Sequence, residues 1–300
     1  MNASLPLLEK TAQATVGIRS QIPSTHNSAA IGLGTDRRTG GVLIDPDGLI
    51  LTVNYGLIGA QSLIVTLTGG EQRQGWVVAQ DYASGLGLVR IDGHHLPYLT
   101  PVPSTDCATG QDVFVVSAVS GDERRADSGI ITYIGPFDAV WEYGIDRCIM
   151  ASAMNFGVGG GPMCNARAEL VAVAYLSPAE ISRSSLAIPC EYFLNARTEL
   201  MGQGRSASSS TRPWLGLLAY GLRDHVVIAG VMPGGPGEKA GLKPGDVVLE
   251  VDGQGVVERR EFYKVLWNRR PGDLLNLKVF RDNGVRTLTL RAIAVEEYFG

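Results

Sequence analysis

The sequence predicts a protein built mainly from β-strands, arranged as barrels or sandwiches with many tight turns. Its 38 glycines and 15 prolines are scattered between short apolar runs, which is typical of strands joined by turns. Two of these runs flank residues 45–48, Asp-Pro-Asp-Gly, and predict a hairpin because proline and glycine supply turn dihedrals. Further strand-like runs occupy residues 63–67, 76–79, 86–91, 113–119, 130–134 and 170–174.

The composition describes a soluble globular chain that is long enough, at 300 residues, for two domains. A net charge of −4 gives no general electrostatic reason to bind nucleic acid. No apolar run approaches the about eighteen residues that span a bilayer, and residues 1–20 lack the basic start and apolar core of a signal peptide. We therefore expect neither nucleic-acid binding nor membrane insertion.

The cysteines and histidines show no metal-ligand pattern, so we expect no metal and no other cofactor. His94 and His95 are adjacent and point in different directions on an extended strand, which is a poor arrangement for joint metal binding. The cysteines contain no CxxC pair and are expected to be free thiols. The sequence does not decide whether Cys148 and Cys164 form a disulfide, because it does not give the distance between their Cα atoms.

A serine-rich polar stretch at residues 203–211 divides the chain into residues 1–202 and 212–300. Such a stretch buries almost nothing and is expected to be an inter-domain linker. The segment 191–201 before it predicts a short helix that closes the first domain.

The loop at residues 155–162, Asn-Phe-Gly-Val-Gly-Gly-Gly-Pro, resembles the nucleophile loop Gly-Asn-Ser-Gly-Gly-Pro of the HtrA family of chymotrypsin-fold serine proteases. Gly159 stands at the serine position. Residues 51–60 resemble the family's histidine segment with Tyr55 in the histidine position, and residues 81–91 resemble its aspartate segment with Gly85 in the aspartate position. The resemblance implies two six-stranded β-barrels in residues 1–202.

These three residues point to a degenerate triad, as in a pseudoprotease. Glycine has no side-chain oxygen to attack a carbonyl, and a phenol with a pKa of about 10 is a poor general base at neutral pH. We therefore expect that the chain is not an enzyme. The backbone amides of Gly157 and Gly159 correspond to the family's oxyanion hole and need no serine side chain. The alternative is a serine-type peptidase with an unorthodox active site that uses a residue such as Ser84, Ser152 or Tyr55.

The second half of the chain, residues 212–292, resembles an HtrA-type PDZ domain most clearly at residues 234–253. This part follows the family pattern Ser-Pro-Ala-x-x-Ala-Gly-Leu-x-x-Gly-Asp-x-Ile. Its residues also predict a short helix at 236–242 and a half-buried strand in which Val247, Leu249 and Val251 alternate. A second helix carries Phe262, Val265 and Leu266 on one face and is expected to border the ligand groove.

A PDZ domain binds an extended peptide as an added strand, and a loop of backbone N–H groups receives the terminal carboxylate. The resemblance assigns this loop to Trp214, Leu215, Gly216 and Leu217. Leu215 and Leu217 are expected to line an apolar pocket for the last side chain of the ligand. Alternatively, these leucines belong only to the core and the groove is closed.

The sequence therefore predicts a scaffold, adaptor or chaperone-like subunit that binds a protein or peptide with an apolar C-terminus. Another HtrA-like subunit is a second possible partner, although residues 1–54 contain no Phe, Trp or Tyr of the kind that staples HtrA trimers. The resemblance favours a periplasmic or cell-envelope location, with the export signal absent from this sequence.

Overall fold

The computed structural model describes residues 5–176 and 184–300 and divides the chain into two compact units. Unit 1 comprises Met1–Pro136 and Asp146–Ser206, and unit 2 comprises Phe137–Ile145 and Ala207–Gly300. The segment 137–145 therefore groups with the C-terminal part of the chain, although it is far from it in sequence.

Unit 1 contains two closed antiparallel barrels of six strands each, as the sequence predicts. The first has the strand order β1-β2-β3-β6-β5-β4, and the second has the order β10-β11-β12-β9-β8-β7. The first barrel consists of β1 Thr15–Gln21, β2 Asp36–Leu43, β3 Leu49–Val53, β4 Ser62–Thr66, β5 Gln72–Gln80 and β6 Leu86–Ile91. The second consists of β7 Asp112–Ser120, β8 Glu123–Ala139, β9 Tyr143–Ala151, β10 Pro162–Asn165, β11 Leu170–Leu176 and β12 Ser185–Pro189.

Each barrel is filled by aliphatic side chains that point inward from its strands. In the first barrel the hairpin of β2 and β3 pairs Leu43 with Ile50, on either side of the predicted turn. Both side chains lie in the buried core, together with Val16, Ile18, Leu57, Leu63, Val65, Val89 and Ile91. The core of the second barrel contains Val113, Val115, Ile131, Ile149, Met163 and Val171.

Helices are few in unit 1 and lie at its chain ends and turns. They are α1 Leu5–Ala14, a π-helical turn Ala29–Leu33, a 3₁₀ turn Asn54–Gly56 and α2 Glu191–Gln203. The predicted helix at 191–201 is confirmed by α2. It ends at Gly204, whose positive φ of +74° suits glycine and whose N–H donates to the Leu200 carbonyl at 3.1 Å.

The serine-rich stretch is more ordered than its composition predicts. It contains the short helix α3 Ala207–Thr211. Ser206 and Ser209 are buried, and their hydroxyls donate to Asp81 at 2.7 Å and to Glu296 at 3.0 Å. The expectation that this stretch buries almost nothing is therefore wrong for these two residues, because a buried hydroxyl is tolerated where it finds an acceptor. The division into a first domain at 1–202, a linker at 203–211 and a second domain at 212–300 stays a prediction.

Unit 2 is built around one twisted sheet with the order β14-β15-β16-β18-β19 and a small strand, β17, beside β16. A separate two-stranded sheet pairs β13 with β20. The strands are β13 Pro213–Trp214, β14 Leu217–Leu222, β15 His225–Val231, β16 Val247–Val251, β17 Gln254–Gly255, β18 Leu274–Arg281, β19 Gly284–Arg291 and β20 Ile293–Ala294. The helices are α4 Pro236–Lys239, α5 Arg259–Trp267 and α6 Val295–Phe299.

The two helices predicted in unit 2 are present as α4 and α5, and α5 buries Phe262, Val265 and Leu266 as expected. The predicted alternation in β16 is wrong. Val248 and Val251 are the buried residues, because a bulge between Val248 and Glu250 shifts the strand's pattern.

All four cysteines are free thiols, so Cys148 and Cys164 are not bridged. Burial raises the pKa of Cys148 to about 11 and that of Cys164 to about 12. Across residues 5–176 and 184–300, none of the helices combines the length and the apolar character needed to cross a bilayer.

Candidate functional site

Tyr55, at the expected histidine position, contacts the expected nucleophile loop directly. It lies in the 3₁₀ turn after β3, and its hydroxyl oxygen accepts a hydrogen bond from the Gly159 N–H at 3.1 Å. Its ring also meets the edge of the Tyr175 ring, with centroids 5.8 Å apart. Burial raises the pKa of Tyr55, so the phenol is neutral at physiological pH.

Gly159, at the expected serine position, has no room for a side chain. A Cβ at this residue would lie 2.5 Å from the Tyr55 hydroxyl oxygen and 2.5 Å from the Tyr175 carbonyl oxygen. The phenol of Tyr55 and the backbone of β11 thus occupy the space into which a serine side chain would project.

The two amides assigned to the oxyanion hole both have acceptors within the chain. The Gly157 N–H donates to Asn155 Oδ1 at 3.2 Å, and the Gly159 N–H donates to Tyr55. Asn155 is held in turn by the Ser117 hydroxyl, which donates to the same Oδ1 at 2.5 Å. A carbonyl that binds at these amides would have to displace both acceptors, and this binding role stays a prediction.

Gly85, at the expected aspartate position, is part of the turn between β5 and β6. Its φ of +81° favours glycine, and its carbonyl accepts from the Asn54 N–H at 2.7 Å. The buried carboxylate of this region is instead Asp81, which accepts from the hydroxyls of Ser84 at 2.5 Å and Ser206 at 2.7 Å.

The hydroxyls considered for an unorthodox active site have structural contacts. Ser84 is buried against Asp81, and Ser152 is exposed with its hydroxyl oxygen accepting from the Ile130 N–H at 3.0 Å. The structure does not bring Ser84, Ser152 and Tyr55 together through any of these hydrogen bonds.

A histidine–serine contact that sequence reasoning missed lies beside the turn that carries Tyr55. His26 Nδ1 is 2.7 Å from Ser28 Oγ, and Ser28 is fully buried. The Arg37 guanidinium donates to Ser28 Oγ at 2.5 Å and to the carbonyls of Tyr55 and Ile58 at 2.9 Å each. Burial lowers the pKa of Arg37 to about 10. No local sequence pattern predicts this cluster, because its residues come from three segments, at 26–28, 37 and 55–58.

The adjacent histidines His94 and His95 lie at the surface. His94 is largely exposed and lies 3.3 Å from Asp47. In the part of the chain that the structure describes, no group of three or more His, Cys, Asp or Glu side chains is placed to hold a metal ion.

The expected carboxylate-binding loop of unit 2 already holds a carboxylate. The N–H groups of Leu215, Gly216 and Leu217 donate to Glu142, to Oε1 at 2.8 Å and to Oε2 at 2.9 Å and 3.1 Å. Gly216 has a φ of +74°, which allows the three amides to converge. This is the donor arrangement that the sequence predicts for a PDZ loop, with a side chain of this chain as the acceptor.

The side chains of this loop lie in the core. Leu215 and Leu217 are fully buried in the hydrophobic cluster of unit 2, and their role in lining a ligand pocket stays a prediction. The Trp214 ring packs against Tyr298 and Phe299 of α6, with centroids 4.7 Å and 5.8 Å apart. Sequence reasoning missed both of these aromatic residues.

Comparison with known proteins agrees with this architecture. Residues 39–173 match the trypsin-like peptidase domain, and residues 213–291 match the PDZ domain. The fold therefore defines a protein with a trypsin-like double barrel followed by a PDZ domain.

The chain is similar in sequence to DegP-like proteins and similar in fold to HtrA-type proteases. It is 30% identical over 281 residues to a "Probable periplasmic serine endoprotease DegP-like" of Halomonas elongata, with 87% of this chain and 58% of that protein covered. A protein of the same name from Pseudomonas fluorescens is 27% identical over 272 residues, with 86% and 56% covered. The chain thus spans between half and three fifths of the length of these relatives.

Solved structures show the same fold. The structure of the HtrA-type protease AlgW with a decapeptide matches with a TM-score of 0.58 at 23% identity. The match covers 96% of this chain and 97% of the AlgW chain. The serine endoprotease from Yersinia pestis has a TM-score of 0.58 at 21% identity, with 96% and 97% covered.

The expectation that the chain is not an enzyme is contradicted by these relatives, which are named serine endoproteases. That expectation rested on Tyr55, Gly85 and Gly159 alone. Peptide-bond hydrolysis is not tied to one set of three side chains, since a serine–lysine pair or an N-terminal threonine carries out the same chemistry in other proteases. Three substituted positions therefore do not decide the activity of the chain.

Proposed function

We propose that this chain binds polypeptides through the free carboxylate and apolar end of their C-termini, at the loop formed by Leu215, Gly216 and Leu217. The observation that carries this proposal is the convergence of three backbone N–H groups on one carboxylate. Such a set of donors satisfies both oxygens of a carboxylate, which is how PDZ domains capture a C-terminus. A similar fold, the HtrA-type protease AlgW, was solved with a decapeptide.

The loop lies next to an edge strand on which a bound peptide can continue the sheet. β14 pairs with β15 on one side and is the last strand of the sheet on the other. Tyr220 and Leu222 are exposed on this strand and offer apolar contact to the side chains of an added peptide. This geometry favours an extended ligand.

The activity that the relatives favour is serine-type peptide hydrolysis at an unorthodox active site. A Ser-His-Asp step at positions 159, 55 and 85 is chemically excluded, so the nucleophile has to be another group. The hydroxyls to examine are those of Ser28, beside His26, and of Ser84 and Ser152.

A second candidate is a scaffold, adaptor or chaperone-like role, in which binding itself is the function. The Tyr55–Gly159 contact favours it, because it fills the expected nucleophile position with a neutral phenol. A further HtrA-like subunit is a candidate partner in this role. Since the relatives are named periplasmic, we propose the bacterial periplasm as the location.

Calorimetric titration of the full chain with two matched peptides tests the binding proposal. The peptides end in the same apolar residue and differ only in a free or an amidated C-terminus. We expect binding of the free acid only, and loss of that binding in Gly216→Val, because a valine at a φ of +74° distorts the loop. Equal binding of the acid and the amide would show that the carboxylate is not captured.

Covalent labelling tests the peptidase proposal. A fluorophosphonate probe should attach to one serine, which peptide mapping by mass spectrometry identifies, and casein should be cleaved. Ser28→Ala, Ser84→Ala and Ser152→Ala are the matched variants, one of which should lose both signals. Absence of labelling and of cleavage in the folded protein overturns hydrolysis and leaves the binding proposal standing.

A further inference from the structure

Residues 137–145 of this chain contact the loop at residues 215–217, the proposed carboxylate-binding loop of the PDZ domain. They comprise the end of β8, the turn Val140–Glu142 and the start of β9, and they are part of unit 2. Glu142 sits at the tip of the turn with a φ of +55°, a conformation that non-glycine residues seldom adopt. The backbone at Glu142 therefore has a conformation that glutamate does not favour.

This segment reproduces the three contacts of a peptide ligand. First, the Glu142 carboxylate accepts from all three loop amides, at 2.8–3.1 Å. Second, the Ala219 N–H of β14 donates to the Val140 carbonyl at 2.8 Å, which is the main-chain contact that an added strand makes. A side-chain carboxylate thus takes the place of a terminal one.

Third, the segment is held by α5, the helix predicted to border the groove. The Tyr263 hydroxyl lies 2.9 Å from the Ala139 carbonyl and accepts from the Glu142 N–H at 3.0 Å. Arg259 donates to the Asp138 carboxylate at 2.6 Å and to the Asp138 carbonyl at 2.9 Å. Glu142 and Ala139 are buried as a result.

We propose that residues 137–145 are a built-in ligand of the PDZ loop, which an incoming polypeptide with a free C-terminal carboxylate displaces. This inference rests on the proposed binding function and adds its regulation. The loop offers one set of three amides, so the Glu142 carboxylate and a ligand's terminus compete for the same donors. The apparent affinity for a peptide then falls by the fraction of molecules in which the loop is free.

Hydrogen exchange tests the occupied loop without any ligand. In the full chain the amide protons of Leu215, Gly216 and Leu217 should exchange slowly, and in Glu142→Ala they should exchange much faster. The matched control is Glu250→Ala, which removes a carboxylate of the same unit that pairs with Lys278 at 2.8 Å. Glu142→Gly, which also removes the carboxyl group and suits the φ of +55°, serves if Glu142→Ala does not fold. Unchanged exchange in folded Glu142 variants overturns the inference.

Peptide binding separates this inference from the proposed function. A peptide acid should bind Glu142→Ala about tenfold or more tightly than wild type, as expected if the loop is free in about one wild-type molecule in ten. Glu250→Ala should bind like wild type. Equal, carboxylate-dependent binding by wild type and Glu142→Ala overturns the built-in ligand and keeps the proposed function. Absence of binding in both overturns the proposed function and the competition together.

Discussion

Tyr55 and Gly159 form a complementary pair, since the phenol fits only because position 159 lacks a Cβ. The Gly159 N–H donates to the phenol oxygen, so the pair is joined by a hydrogen bond as well as by shape. A substitution at one residue therefore changes the space and the hydrogen bonding of the other.

Gly159→Ser alone should destabilise the protein by about 1–3 kcal/mol, because overpacking forces neighbours to move. Its Cβ would meet both the Tyr55 hydroxyl and the Tyr175 carbonyl at 2.5 Å. Thermal unfolding followed by circular dichroism measures the effect, and Gly202→Ser in α2, where a Cβ has no neighbour within 4 Å, is the control.

A double-mutant cycle with Tyr55→Phe separates the two clashes. Removing the hydroxyl should relieve part of the cost of Gly159→Ser, while the clash with the Tyr175 carbonyl remains. Additive effects of the two substitutions would mean that the hydroxyl does not occupy the serine position.

Glu142 makes the built-in ligand sensitive to pH. Burial raises the pKa of Glu142 to about 8, while the loop amides and Arg212 oppose this shift. The other ionisable groups on this side are Tyr263, Arg259 and Asp138. Because the pKa is raised above 4.5, docking takes up a proton. The stability that protonated Glu142 adds to docking is fully present below about pH 4.5 and is lost as the pH rises through about 8.

Peptide affinity of the wild type should therefore increase from pH 5.5 to pH 8.5 and then level off. The terminal carboxylate of the peptide, with a pKa of about 3.5, stays ionised throughout this range. Glu142→Gln should show little change over the same range. Fluorescence anisotropy of a labelled peptide measures both, and a flat wild-type profile would contradict the protonation of Glu142 on docking.

At the scale of elements, the strands were predictable because local patterns specify them. Alternating or continuous apolar runs bounded by glycine and proline gave the hairpin of β2 and β3 and the barrel strands that follow. The buried residues of β16 were not predictable, since the bulge after Val248 depends on pairing with β18. Burial of Ser206 and Ser209 was missed because their acceptors, Asp81 and Glu296, are distant in sequence.

For the candidate sites too, the sequence predicted features that depend on neighbouring residues and missed contacts between distant ones. The loop donors at 215–217 follow from the PDZ resemblance and from Gly216, whereas the bound carboxylate comes from Glu142, 73 residues before Leu215. The sequence around position 142 contains no pattern that predicts a contact with residues 215–217. Arg37 was missed for the same reason, since its contacts with Tyr55 and Ile58 span 18 and 21 residues.

Limited trypsin digestion should cut the serine-rich stretch first after Arg205, between α2 and α3, where the residue is exposed. Arg212 should be cut later, because its guanidinium stacks over the Trp267 ring at 4.2 Å and donates to the Gly144 carbonyl. Arg205→Gln should therefore delay the first cleavage, and Arg212→Gln should not. Mass spectrometry of the early fragments identifies the site, and first cleavage after Arg212 would contradict this order.

At the scale of the whole molecule, one chain combines a trypsin-like double barrel with a PDZ domain whose loop at residues 215–217 holds the Glu142 carboxyl group. The relatives favour hydrolysis, and the geometry of unit 2 favours capture of a C-terminal carboxylate. Both functions act on polypeptides. Binding at the loop is the claim on which the proposed regulation also depends.

The most direct test of that claim is the NMR spectrum of the 300-residue Glu142→Ala variant during titration with a peptide that ends in an apolar residue. We expect the amide signals of Leu215, Gly216 and Leu217 to shift with the free-acid peptide and to stay unchanged with its amidated form. Shifts confined to other residues, or identical shifts with both peptides, would contradict carboxylate capture at this loop.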